Sequence, residues 1–188
     1  IFIAQATFGP ERLDKEIKIF EKIIKLSSEL NLPLFYLLKT KNDHFVTNKI
    51  KDYFKERILK KDFFLIERDK DTYSHLRSNA LFFTNSSTLG FEAISRKKKV
   101  IFLPLNNFPA KNYFKKYPQN GPFWTNDHSY SNIKIMTNKI LKINQSKWTT
   151  IVKKNISEII NYKPRNPELI KLLRKYNIKF KNNHLSQI

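Results

Sequence analysis

ALFFTNSSTLGFEAISRKKKVIFL, residues 80–103, decides how this chain folds. Two apolar runs, Ala80 to Phe83 and Val100 to Leu103, have the length and composition of buried strands. Between them lie three consecutive hydroxyl residues, Ser86, Ser87 and Thr88, and then a segment from Thr88 to Ser95 with helical character. Strand, short turn, helix, strand is the unit from which parallel α/β sheets are built.

The same unit recurs upstream. Ile1 to Ala4 reads as a strand, and Pro10 suits the first position of the helix that follows. Leu13, Ile17, Phe20 and Ile24 give that helix its core face. Leu34 to Leu38 is a second strand, followed by a helix capped by Asn42 or Asp43 with Val46, Ile50, Tyr53 and Phe54 on its buried side. Phe63 to Ile66 is a third strand, and Thr72 to Arg77 a short helix. The strands are continuous apolar runs, so both sheet faces are expected to be covered. The fold class is α/β, a Rossmann-like doubly wound parallel sheet with C-terminal helices. Residues 106–127 read as a long ordered loop, and helices follow over Ser131 to Ile143 and Ser146 to Tyr162. Pro164 and Pro167 separate these from a helix over Glu168 to Tyr176 and a basic tail. The expected division is thus residues 1–162 and residues 163–188.

Composition bounds the function. The chain has 188 residues, no cysteine and four scattered histidines, so neither disulfides nor a side-chain metal centre is expected. No apolar run is long enough to span a membrane. The net charge of +20 invites polyanions, but the excess is mostly lysine, spread along the chain. Nucleic acid is therefore disfavoured as a partner relative to an anionic membrane surface or a phosphorylated small molecule. The chain opens at Ile1, directly inside a strand, as a fragment or trimmed chain would, which leaves room for a preceding partner domain.

In open α/β sheets, ligands sit beyond the carboxyl ends of the strands, beside helix N-termini. Ser86, Ser87 and Thr88 occupy such a place, where free backbone N–H groups and the helix dipole suit a phosphate. Gly90 lets a backbone or a ligand approach closely, and Glu92 can accept hydrogen bonds from vicinal ribose hydroxyls. Ordinary helix capping by one of the hydroxyls, with Glu92 solvated, fits the same residues. Lys39 and Lys41 follow the second strand and can meet a phosphate as point charges. Gly9 lies in the first strand–helix turn and is a candidate substrate contact. Phe123 and Trp124, beside Gly121 and Pro122, either stack on a base or sugar or plug the loop onto the domain. No dinucleotide, Walker or nucleophile-elbow motif is present.

Ser86 to Ala93, followed by Lys98-Lys-Val-Ile-Phe102, resembles the nucleotide-sugar-binding half of GT-B glycosyltransferases. The likeness is to the bacterial surface-polysaccharide group with a Ser-Thr-Leu-Gly-Tyr-Glu-Ala pattern, and Gly121 to Trp124 is similar to a Phe-Trp element there. The resemblance runs from Ile1 to about Tyr162. It implies that Ser86 to Thr88 hold the donor phosphates, that Glu92 binds the ribose, and that Lys39 stands where related families carry Lys-x-His-Pro. Here that segment reads Lys39-Thr-Lys-Asn42, without the His-Pro.

The resemblance further implies one half of a GT-B architecture, the C-terminal donor-binding domain, with the catalytic base and acceptor site in an N-terminal domain. No catalytic residue is named on this chain. The implied substrate is a nucleotide sugar, with no cofactor and no obligatory metal, and the acceptor is lipid-linked or a polysaccharide. The implied location is cytoplasmic, peripheral at the inner face of the membrane. Two other readings stand beside it. One is a sugar-nucleotide epimerase of the UDP-N-acetylglucosamine 2-epimerase type. The other is a non-catalytic module that binds nucleic acid or another polyanion.

Overall fold

The computed structural model describes residues 1–4, 10–38, 44–66, 72–105 and 120–156. Five strands form one parallel sheet: β1 (Phe2–Ile3), β2 (Phe35–Leu37), β3 (Phe64–Ile66), β4 (Leu81–Thr84) and β5 (Lys99–Phe102). Their order is β3-β2-β1-β4-β5. The chain therefore starts in the middle, builds outward to β3, returns across the sheet, and builds the other half. Register is fixed by pairs such as Phe2 with Tyr36 and Ile3 with Thr84. The connection order reverses between β1 and β4, which is where a doubly wound sheet opens a crevice at its carboxyl end.

The helices are α1 (Pro10–Glu29), α2 (His44–Tyr53), α3 (Lys55–Leu59), α4 (Thr88–Ser95), α5 (Tyr130–Lys142) and α6 (Gln145–Ile156), with a 3₁₀ turn over Thr72–Arg77. Right-handed crossovers place α1 and α4 on opposite faces of the sheet. Helix α1 buries Leu13, Ile17, Phe20 and Ile24 as its spacing predicts, together with Ile19, Ile23 and Leu26. Phe20 is the centre of an aromatic cluster, with ring centroids 4.5 Å from Tyr36, 4.9 Å from Phe63 and 5.1 Å from Phe2.

Three helices end in the same way. A residue in the left-handed region follows the last turn: Asn31 (φ 51°), Lys61 (φ 57°) and Lys97 (φ 64°). In each case two bonds close the end, as in Leu32 N–H to the Ser27 carbonyl and Asn31 N–H to that of Ser28. The Lys97–Lys99 run takes part in this architecture. Lys97 shapes the end of α4, Lys98 Nζ bonds the carbonyls of Arg77 and Ser78, and Lys99 Nζ bonds that of Leu141 at the end of α5.

The structure corrects three expectations. Tyr53 is 55% exposed and donates its hydroxyl to Glu21, so it is not on the buried side of α2. Strand β3 is an edge strand with Phe64 half-exposed, so not every strand is covered on both faces. The long loop is partly sheet-like. Phe102 N–H bonds the Phe123 carbonyl and Thr125 N–H bonds the Phe102 carbonyl, which lays residues 123–125 alongside β5 and shields that edge. The second expected unit, residues 163–188, and the helix over Glu168 to Tyr176 lie outside the described residues. Among the described residues, no helix is long and apolar enough to cross a membrane.

Candidate functional site

Strand β4 ends in a turn whose polar groups are almost all buried. Thr84, Asn85 and Ser87 are shut off from solvent, Ser86 is half-buried and Thr88 is exposed. Thr84 Oγ1 accepts the Ser87 N–H at 3.2 Å, so the strand's last side chain caps the turn. Ser87 stands at the N-cap of α4 with extended backbone (φ −68°, ψ 139°), yet its hydroxyl makes no capping bond. That hydroxyl is buried without a hydrogen-bond partner, as is Asn85 Oδ1. The first N–H groups of α4 have no intrahelical acceptor either. Ordinary capping thus describes the backbone of Ser87 but not its side chain.

A buried charged network holds the turn from behind. Glu16 of α1, 0% exposed, accepts the Tyr36 hydroxyl at 2.9 Å on Oε1 and the Asn85 side-chain amide at 2.8 Å on Oε2. Burial, reinforced by the Glu16 charge and hydrogen bond, raises the Tyr36 pKa well above that of an ordinary phenol. One helical turn earlier, Arg12 is 3% exposed and its Nη2 lies 3.5 Å from Ser86 Oγ. Burial lowers the Arg12 pKa and the Glu16 carboxylate works against that. The sequence reading missed Arg12, Glu16, Tyr36 and Asn85. Its available signal was the spacing: Arg12 and Glu16 share a helical stripe with Ile19 and Ile23, which are core residues.

The named candidates divide. Ser86, Ser87 and Thr88 come together at the start of α4, and Glu92 lies one turn further along the same helix, half-buried. At Gly90 the close neighbour is a side chain of β4. A Cβ placed there would meet Thr84 Cγ2 at 2.5 Å, so glycine lets α4 lie on β4. Lys39, Lys41 and Gly9 lie outside the described residues. Phe123 and Trp124 are 0% and 2% exposed and pack on Phe102, Trp148 and each other, as a plug does. Gly121 is required by the same plug, since a Cβ there would overlap the Trp124 indole.

An apolar cavity of about 510 Å³ lies elsewhere, among Leu30, Leu34, Leu81 and Leu141, and none of the residues of the turn lines it. Among the described residues, no three His, Asp or Glu side chains are grouped to hold a metal ion.

A family model described as "putative O-antigen biosynthesis protein" matches residues 13–177. No curated protein and no solved structure matches the chain. The matched span contains the whole of the turn, Glu16 with its partners Tyr36 and Asn85, and the Phe123–Trp124 plug, and begins one residue after Arg12.

Proposed function

The chain belongs to this family of O-antigen biosynthesis proteins, and from that premise we propose that it binds a nucleotide sugar at the turn between β4 and α4. On this reading it is the donor-binding half of a GT-B glycosyltransferase serving a lipid-linked or polysaccharide acceptor. The observation that carries the proposal is the Ser87 hydroxyl, buried at a helix N-terminus without a partner. An unmade hydrogen bond of that kind costs about 1–3 kcal/mol, and a phosphate oxygen at the helix start would supply the missing acceptor. The position at the β1/β4 reversal is the one where doubly wound sheets take ligands. In this reading Glu92 meets the ribose, and Lys39 and Lys41 approach the phosphates from the end of β2.

The anchoring of Lys98 and Lys99 on backbone carbonyls favours this over a polyanion-binding module. The densest run of lysines holds the fold together instead of forming a free charged arm. A thermal-shift panel of UDP, GDP, TDP and CMP tests the proposal. At least one nucleotide is expected to raise the melting temperature, and Ser87→Ala and Glu92→Ala to diminish the effect. If none does, while RNA or DNA binds in a salt-sensitive way, the polyanion reading replaces it.

A further inference from the structure

We infer that Arg12 is the charged binding residue of this turn, gripping a phosphate oxyanion of the ligand, and that Glu16 is the positioning residue that aims it. The inference rests on the reading of the turn as a phosphate site.

Three kinds of donor meet at the mouth of α4: the Arg12 guanidinium, the Ser87 hydroxyl and the first amides of the helix. The Arg12 guanidinium sits 3.5 Å from Ser86 Oγ, which places its charge directly beside the hydroxyl turn. The next residue, Ser87, offers a buried hydroxyl with no acceptor, and beyond it come the first amides of α4. A guanidinium, a hydroxyl and helix-terminal N–H groups converging on one place complement an oxyanion. They complement a phosphate better than a sugar hydroxyl, because the guanidinium fork spans two phosphate oxygens.

A guanidinium this deeply buried is costly unless a counter-charge stands near it. Glu16 provides one from the next turn of α1. Its two oxygens are fixed by the Tyr36 hydroxyl and the Asn85 amide, one from β2 and one from the turn itself. Glu16 therefore ties three things together: the helix that carries Arg12, the inner strand β2, and the residue preceding Ser86. Arg12 is held over the turn before any ligand arrives, which reduces the ordering cost of binding.

Isothermal titration of the full chain with UDP and with inorganic pyrophosphate, across a series of NaCl concentrations, tests this. Arg12→Met is expected to weaken both by about 10–100-fold and to lower the slope of log affinity against log salt by about one. Ser87→Ala is expected to weaken binding with the slope retained. Glu16→Gln separates two effects of opposite sign. Removing a negative charge would by itself tighten anion binding, whereas loss of positioning weakens it; weakening is expected. Should Arg12→Met not fold, Arg12→Lys decides. It keeps the charge, so a fork-dependent site loses about tenfold while its salt slope stays. Affinity and slope unchanged in the Arg12 variants, with Ser87→Ala still impaired, would overturn the inference and leave the phosphate site standing. No binding of either probe to the unaltered chain would overturn both.

Discussion

Ser87 carries a cost in the folded chain that a structural residue would not. Its hydroxyl is buried and bonds nothing, so deleting it removes a penalty without removing a contact. Ser87→Ala is accordingly expected to leave the melting temperature unchanged or raise it, while nucleotide affinity falls; a clear loss of stability would show that the hydroxyl is structural. Gly90 behaves in the opposite sense. A methyl group there collides with Thr84 Cγ2 at 2.5 Å in a strand–helix contact that has no room to yield. Gly90→Ala should cost about 1–3 kcal/mol of overpacking. Thr84→Ser removes the offending methyl and keeps the Oγ that accepts the Ser87 N–H, so the pair together should recover most of the loss. Strict additivity in a denaturant double-mutant cycle would rule out this contact as the cause. Neither effect was legible in the sequence. Gly90 was open to a backbone or a ligand neighbour, and nothing in a string of hydroxyls says which one lacks an acceptor.

At the scale of elements, the ends of helices show where sequence signals and geometry part. A chain with only three glycines ends α1, α3 and α4 on Asn31, Lys61 and Lys97, each at positive φ. Asparagine tolerates that conformation, but lysine meets a steric penalty that glycine avoids. Lys61→Gly and Lys97→Gly are each expected to stabilise the chain by about 0.5–1 kcal/mol, read as a shift of the denaturation midpoint at constant slope. A destabilised variant would mean that the lysine side chain outweighs the backbone gain. The element order was legible because apolar runs and helical spacing alternate without interruption, and the start of α4 at Thr88 follows directly from the hydroxyl turn. The Glu16 network was not legible, because a charged residue on a lysine-rich helix reads as solvent-facing. Only the packing of Tyr36 and Asn85 around it shows that it faces the sheet. Tyr53 misled for the converse reason: its ring fits the apolar stripe of α2, but its hydroxyl is drawn outward to Glu21.

Across the whole molecule, the later segment is fastened back onto the first helix. Thr125 Oγ1, buried, gathers Asn120, Asn132 and the Asp127 N–H into one cluster at the start of α5. Lys22 of α1 bonds the His128 carbonyl at 2.6 Å, and Lys134 of α5 pairs with Glu29 of α1 at 2.7 Å. His128 stands at the middle of this seam. Its burial lowers its pKa below the ordinary 6.5, Lys22 lowers it further, and the Pro104 carbonyl and Asp127 offset part of that. A histidine with a depressed folded pKa binds its proton more weakly folded than unfolded. Its contribution to stability is therefore present above pH 6.5 and is lost as pH falls from 6.5 toward the folded pKa. Proton uptake here strains the join between α1 and the 120–132 segment, so acid should loosen the whole chain cooperatively. Melting temperature measured in half-unit steps between pH 8 and pH 4.5, for the chain and for His128→Gln, isolates the imidazole by difference. The variant should show the shallower decline below about pH 6.5, where an ordinary imidazole begins to take up its proton. Parallel curves would show that His128 titrates alike in both states, which would leave the seam to contacts such as those of Lys22 and Lys134.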